Sequence, residues 1–135
     1  MKIKKEVIGK LIAHAKKEAP VEACGYLAGQ RDIVLRHFEL TNLDKAIDHF
    51  RLDPEEQFRA MREARNLGLQ VYASYHSHPA TPARPSAEDI KLAYDPDLKY
   101  VIVSLADASG DVKAYKIKGS KVEREDLEVV SDDQL

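Results

Sequence analysis

Residues 75–90 read YHSHPATPARPSAEDI, and the rest of the chain is best interpreted outward from this segment. The preceding residues 69–74, LQVYAS, are β-branched, aromatic or small and predict a buried strand. If this strand continues to His78, the alternation of a β-strand points the side chains of His76 and His78 to one face and Ser77 to the other. Two imidazoles are therefore expected to converge at the end of a strand.

The residues after His78 predict a stiff loop followed by a helix. Residues 79–85 contain three prolines, which favour a non-helical loop that turns the chain back over the strand end. Ser86 is the predicted helix start, and Asp89 lies on the same side of the first turn. Two histidines and a carboxylate are three ligands of the type that zinc takes in catalytic sites, with a fourth position left for water.

Each part of this pattern also has an ordinary structural interpretation. Ser86-x-x-Asp89 alone is a common helix capping box. Histidines at positions 76 and 78 can equally be strand residues whose rings bond to the backbone. His37 and His49 have no ligand spacing to the other candidates, so both are predicted to be surface or half-buried residues. The residue types alone leave both interpretations open.

The complete string resembles a known motif. His76-Ser77-His78, seven further residues and Ser86-x-x-Asp89 are similar to the H-[ST]-H-x7-S-x-x-D motif of the JAMM metalloproteases, also called the MPN-plus domain family. The family also has an upstream segment of approximately P-x-E-x-C-G-x-L-x-G, and residues 20–29, PVEACGYLAG, match it at every fixed position. This resemblance alone selects Glu22. Without a long insertion after Asp89, the chain looks like the compact prokaryotic members.

The resemblance implies a zinc ion held by His76, His78 and Asp89. It also implies that Glu22 is the general base and acid, and that Ser86 donates a hydrogen bond to the oxyanion. The implied reaction is hydrolysis of a peptide or isopeptide bond after the C-terminal Gly-Gly of a ubiquitin-like or sulfur-carrier protein. The alternative is a non-catalytic MPN-type scaffold that binds such a protein, although scaffolds of this kind lack one or more of the ligands present here.

Two other zinc proteins do not fit the sequence. A zinc deaminase requires H-x-E together with P-C-x-x-C, and this chain has one cysteine. A structural zinc site usually closes all four positions with cysteine-rich ligands. Cys24 is predicted to be a small buried strand residue rather than a nucleophile.

Composition indicates an ordinary globular protein with a single domain spanning residues 1–135. Hydrophobic residues make up 44% of the chain and charged residues 33%. The net charge of -2, without a basic run, argues against nucleic acid or anionic membrane as partners. No apolar run near eighteen residues and no signal peptide are recognisable, so a cytoplasmic location is expected. The oligomeric state is left open.

The order of predicted elements indicates an α/β fold with a mixed central β-sheet flanked by helices on both faces. The family resemblance implies the same fold, a JAMM/MPN-like frame related to that of cytidine deaminases. An amphipathic helix over 4–18 is expected to leave His14 solvated. The helix capped by Asp53 is expected to bury Phe58, Met61, Ala64 and Leu67. The remaining predicted elements are a hairpin of strands 23–29 and 32–40, a loop at 41–51, a helix over 86–94, a central strand at 100–105, its hairpin partner at 112–117 and a last edge strand at 122–130.

Overall fold

The computed structural model describes residues 1–134, in which one mixed sheet of eight strands carries three α-helices. The helices are α1 (Lys5–Glu18), α2 (Pro54–Asn66) and α3 (Ala87–Lys91). The strands are β1 (Lys2–Lys4), β2 (Cys24–Gln30), β3 (Ile33–Leu40), β4 (Gln70–His78), β5 (Lys99–Ser104), β6 (Asp111–Lys118), β7 (Lys121–Glu125) and β8 (Glu128–Val130). α1 packs on one face, α2 and α3 on the other, as predicted. None of the helices within residues 1–134 is long and apolar enough to cross a membrane.

The sheet order places the start of β2 beside the end of β4. The strands run in the order β7-β6-β5-β4-β2-β3-β1-β8, with β4 antiparallel to β2 and parallel to β5. Cys24 at the start of β2 is opposite His76, and His78 at the end of β4 is opposite Ser104. The residues just before β2 therefore lie next to the histidines that end β4.

The C-terminal segment differs from the prediction of one edge strand at 122–130. β7 pairs with β6 at one edge of the sheet, whereas β8 pairs with β1 at the opposite edge. Only Asp126 and Leu127 separate these two strands, so the two edges must approach each other and the sheet curls. β1 was not predicted, because Ile3 is a single buried residue between two lysines and gives no recognisable period.

α1 begins one residue later than predicted and ends where predicted. The sequence predicts a buried stripe of Val7, Ile8, Leu11, Ile12 and Ala15, of which Val7, Leu11 and Ala15 are buried and Ile8 and Ile12 are partly buried. The expectation for His14 is wrong, because this residue is only 3% exposed and its Nδ1 lies 2.7 Å from the Tyr75 hydroxyl. A bonded imidazole can occupy a buried position that the helical pattern alone assigns to solvent. The ring of Tyr75 reaches α1 across Gly25, where a Cβ would lie 2.4 Å from a ring carbon.

α2 begins as predicted but buries different residues. The Asp53 carboxylate accepts a hydrogen bond from the Glu55 N–H, and Pro54 occupies the first turn. The predicted stripe is wrong at Phe58, Met61 and Leu67, which are exposed, and right at Ala64. Two alanines, Ala60 and Ala64, face the sheet instead. Their small side chains allow the helix to lie close to β2.

α3 is shorter than predicted, and the loop at 41–51 is confirmed. The helix ends at Lys91 instead of continuing to Tyr94, which is 80% exposed and would gain no burial from a longer helix. The backbone of Asp95 is bonded to the Tyr100 hydroxyl instead, and Pro96 disfavours helical angles at Asp95. Residues 41–51 contain no helix or strand.

Candidate metal centre

The structure brings His76, His78 and Asp89 together on one face of the sheet. The Nε2 atoms of the two histidines lie 3.1 Å apart, and each lies 3.0 Å from Asp89 Oδ2. All three side chains are at least nine-tenths buried. In a tetrahedral site with bonds of about 2.0 Å, neighbouring ligand atoms are separated by about 3.3 Å. The three atoms therefore fit one face of a zinc tetrahedron, and this is the group that residues 1–134 offer for a metal ion.

Hydrogen bonds orient the ligands in the way that metal binding requires. His78 Nδ1 donates to the Pro82 carbonyl at 2.9 Å, which leaves the lone pair of Nε2 directed at the centre. Without a metal, Nε2 of each histidine can carry a proton instead, and although burial raises the pKa of Asp89, hydrogen bonds from both rings and from the Ser86 N–H then lower it well below the usual range. Burial lowers the pKa of His78, whereas Asp89 and the Pro82 carbonyl raise it more, so the net shift is upward. The carboxylate is held ionised, as a metal ligand must be.

Ser86 forms the capping box and also lies beside the candidate ligands. Its Oγ accepts a hydrogen bond from the Asp89 N–H at 3.0 Å, and its own N–H donates to Asp89 Oδ2 at 2.9 Å. The capping interpretation and the functional one are therefore compatible. The same contacts that begin α3 fix the carboxylate of Asp89 against the histidines.

Glu22 lies just before β2, next to this centre. Its side chain is buried, and Oε1 is the one buried side-chain oxygen or nitrogen within residues 1–134 that has no hydrogen-bond partner. Burial raises the pKa of Glu22 to about 8, and the nearby His78 only partly opposes this shift. An orphaned buried carboxyl destabilises a fold unless something occupies its vicinity. Because His78 and Asp89 both influence its pKa, the carboxyl of Glu22 lies near the candidate ligands.

Ser77 connects Glu22 to the histidines. Its Oγ accepts a hydrogen bond from the Ala23 N–H at 2.7 Å, and its N–H donates to the Ala23 carbonyl at 2.9 Å. The side chain points away from the histidine face, as the alternation of the strand predicts. The serine between the two histidines of the motif thus fixes the residue next to Glu22.

Two further side chains support the loop at 79–85, which leads to Ser86 and Asp89. The Ser104 hydroxyl donates to the Thr81 carbonyl at 2.5 Å, and the Tyr115 hydroxyl donates to the Ala83 carbonyl at 2.6 Å. Sequence reasoning missed both, because a tyrosine or serine in a strand carries no signal for a carbonyl more than twenty positions away.

The loop at 41–51 contributes a wall of the site that sequence reasoning also missed. The Phe50 ring stacks on His76 with a centroid distance of 4.9 Å and an interplanar angle of 28°. Asn42, buried at the start of this loop, bonds to the Glu22 carbonyl. The sequence around Asn42 predicts a loop, but no local pattern indicates that Asn42 bonds to Glu22.

Cys24 has the properties predicted for a structural residue. It is fully buried, and burial raises the pKa of its thiol to about 12. A thiol in this state is not ionised near neutral pH and is a poor nucleophile.

A His-His-Asp group that could hold a metal ion, with a neighbouring buried glutamate on a curled mixed sheet, is the arrangement expected of a JAMM-type metallopeptidase. Residues 4–118 match the family described as prokaryotic homologs of the JAB domain, and the chain belongs to this family. The chain is also 37% identical over 131 residues to a CysO-cysteine peptidase of Mycobacterium tuberculosis, covering 95% of this chain and 90% of the relative.

Solved structures show the same fold. The solution structure of protein DSY2949 from Desulfitobacterium hafniense has a TM-score of 0.90 and 42% identity, covering 97% of this chain and 93% of that one. AF2198, a JAB1/MPN domain protein from Archaeoglobus fulgidus, has a TM-score of 0.68 and 27% identity, covering 96% and 97% of the two chains. The predicted fold and the predicted family, a compact prokaryotic JAMM enzyme, are both confirmed.

Proposed function

We propose that this enzyme hydrolyses a peptide or isopeptide bond that follows the C-terminal Gly-Gly of a ubiquitin-like or sulfur-carrier protein. One zinc ion would be held by His76, His78 and Asp89. The observation that carries the proposal is the pairing of this ligand set with the orphaned Glu22 carboxyl. A ligand set with three protein atoms leaves a fourth position for water, which is the arrangement of catalytic rather than structural zinc sites.

The bound metal would supply a water of lowered pKa and would polarise the scissile carbonyl. Glu22 would take the proton from that water and pass it to the leaving nitrogen. Its buried carboxyl has a pKa near neutrality, where a group both accepts and releases a proton efficiently. Ser86 Oγ accepts from the Asp89 N–H, so its hydroxyl hydrogen can be donated to the developing oxyanion. One such donor can lower the activation barrier by about 3 kcal/mol.

The shape of the site supports a substrate tail without side chains. The cleft beside His76 and Asp89 is narrow. Its walls include Phe50, Pro85 and Leu92. A Gly-Gly segment in an extended conformation would enter such a cleft more easily than residues with larger side chains.

The similarity to a CysO-cysteine peptidase favours an amino acid as the leaving group. The alternative is the side chain of a conjugated lysine. The test uses zinc-loaded protein and carrier proteins that end in Gly-Gly-Cys, Gly-Gly-Lys or a Gly-Gly isopeptide, with the products identified by mass spectrometry. We expect release of the residue after Gly-Gly, and an Ala-Ala tail should be cut more slowly. Folded, zinc-loaded protein that leaves every Gly-Gly carrier uncut would overturn the proposal.

A scaffold that only binds a carrier protein is the second candidate function. The Glu22→Gln variant distinguishes the two functions, because a scaffold would be unaffected, whereas the hydrolase should lose turnover and keep both zinc and carrier binding. Two sequence-based expectations stay predictions: that residues 1–135 form a single domain, and that the enzyme is cytoplasmic.

A further inference from the structure

Asn42 lies in the loop at 41–51 and its side-chain amide contacts five backbone groups. We call this group of hydrogen bonds the Asn42 hub. The residue is 6% exposed, and both ends of its amide are used. The two N–H groups of Nδ2 donate to the Glu22 carbonyl at 3.1 Å and the His49 carbonyl at 3.0 Å, and the Ala46 carbonyl at 3.5 Å is a third, more distant acceptor. Oδ1 accepts from the backbone N–H groups of Asp44 and Arg51, both at 3.2 Å. A buried polar side chain with this many partners fixes the backbone around it.

One side of this hub holds Glu22. The Glu22 carbonyl accepts from Asn42 Nδ2, and the Glu22 N–H donates to the Ala46 carbonyl at 2.9 Å. Both backbone groups of Glu22 are therefore bonded to the loop. On the other side of Glu22, Ala23 is bonded to Ser77. The carboxyl itself has an oxygen without a partner, so its position depends on these backbone contacts.

The other side of the hub holds Phe50 against the metal ligands. The carbonyl of His49 and the N–H of Arg51 are both bonded to Asn42, and these residues flank Phe50. The ring of Phe50 stacks on His76. A single side chain therefore links the backbone of Glu22 to the ring that packs on His76.

We propose that Asn42 is a positioning residue, which sets the distance between the Glu22 carboxyl and the His76 edge of the metal centre through residues 42–51. The inference rests on the proposed function, in which Glu22 moves the proton. An amide is needed at this position because three carbonyl groups converge on Nδ2 and require a donor. A carboxylate of the same shape would place negative charge against all three.

Asn42→Asp tests this role because it keeps the Oδ1 contacts, removes the donations and places negative charge against the three carbonyl groups. We expect kcat for the carrier substrate to fall about 10- to 100-fold, with KM and zinc content unchanged, because small displacements of a reacting group cost this much. Amide hydrogen exchange of Glu22 should accelerate about tenfold or more, whereas the Ala23 amide, bonded to Ser77, should keep its rate. Leu43→Ala, in the same loop but outside the hub, is the matched control and should behave as wild type.

The two readouts separate this inference from the proposed function. If wild type cuts no carrier, the hydrolase proposal fails, and the exchange rates of Glu22 and Ala23 still decide the role of Asn42. An Asn42→Asp variant with unchanged kcat and an unchanged exchange rate of the Glu22 amide would overturn the proposed role of Asn42. Loss of zinc together with activity would also overturn it, by showing a general structural defect. If Asn42→Asp does not fold, Asn42→Ser is measured in the same way, and the same outcomes apply.

Discussion

Glu22 occupies a position where a carboxyl group weakens the fold. The residue is 3% exposed, one of its oxygens has no hydrogen-bond partner, and its charged form is disfavoured by burial. Groups of this kind are retained at functional sites more often than elsewhere. The destabilisation caused by the buried Glu22 carboxyl can be measured without knowing the substrate.

Glu22→Gln should change the pH dependence of stability in metal-free protein. The folded pKa of about 8 lies above the ordinary value of 4.5, so the folded protein keeps a proton that the unfolded chain releases in between. The stabilisation that the protonated carboxyl gives the folded protein is complete below pH 4.5 and is lost as the pH rises through 8. The unfolding free energy of Glu22→Gln minus that of wild type should therefore increase by about 1–4 kcal/mol as the pH rises from 5 to 8.5.

Urea denaturation of both proteins across this range measures the difference. His78 is present in both proteins, and Glu22 contributes less than Asp89 to its raised pKa, so the difference between the two proteins reports mainly on Glu22. Parallel stability curves for wild type and Glu22→Gln would show that the carboxyl of Glu22 is not desolvated.

The residues of the site divide into those that the sequence could predict and those that it could not. Motif spacing selected His76, His78 and Asp89, because ligands on one strand end and the next helix turn have a fixed separation along the chain. Glu22 was found by family resemblance alone. Asn42 and Phe50 act across the fold through contacts with Glu22 and His76, 20 or more positions away, and no local pattern encodes such contacts.

At the scale of elements, the proline-rich loop at 79–85 is held by three side chains that bond to its carbonyl oxygens. The donors are His78 on β4, Ser104 on β5 and Tyr115 on β6. The loop leads directly into α3, which carries Asp89. The geometry of the metal centre therefore depends on strands that contribute no ligand.

Tyr115→Phe should weaken zinc binding without touching a ligand. Removing the hydroxyl leaves the buried Ala83 carbonyl without its partner, which should cost about 1–3 kcal/mol of stability and about 10- to 100-fold in zinc affinity. Competition with a chelator measures the affinity. Tyr26→Phe is the matched control, because the Tyr26 hydroxyl accepts from Gln57 Nε2 on α2 and should affect stability alone. Equal zinc affinity in both variants and wild type would contradict the expected role of the loop.

Helices and strands with a clear hydrophobic period over many residues are predictable from the sequence. Strands whose pairing partner lies far along the chain are not. α1 has a clear stripe, and the hairpin of β2 and β3 turns through Arg31 and Asp32 at positive φ. α2 presents alanines to the sheet, because close packing favours small residues over the larger apolar ones on its exposed side. The split of the last strand into β7 and β8 depends on which strands reach the two edges, and a local pattern does not determine this.

At the scale of the whole molecule, the sheet converts distant sequence positions into one site. The antiparallel pairing of β2 with β4 brings Glu22 to the histidines, and the chain leaving β4 returns through α3 to supply Asp89. A metal ion at this point would crosslink a strand to the helix that follows it. Since the ligands are assembled only in the folded state, metal binding and folding are coupled.

Zinc should therefore stabilise the whole fold. At a free zinc concentration of about 100 times Kd, the gain in unfolding free energy is about 2.7 kcal/mol, which for a chain of this size raises Tm by about 10 °C. Elemental mass spectrometry and thermal denaturation, with and without a chelator, measure both binding and stability. His78→Ala should lose zinc and the rise in Tm together, because two remaining ligands do not hold the ion. Wild type that takes up no metal after zinc is supplied would refute the metal centre and favour the scaffold function. A rise in Tm of equal size in His78→Ala would place the stabilising zinc elsewhere on the protein.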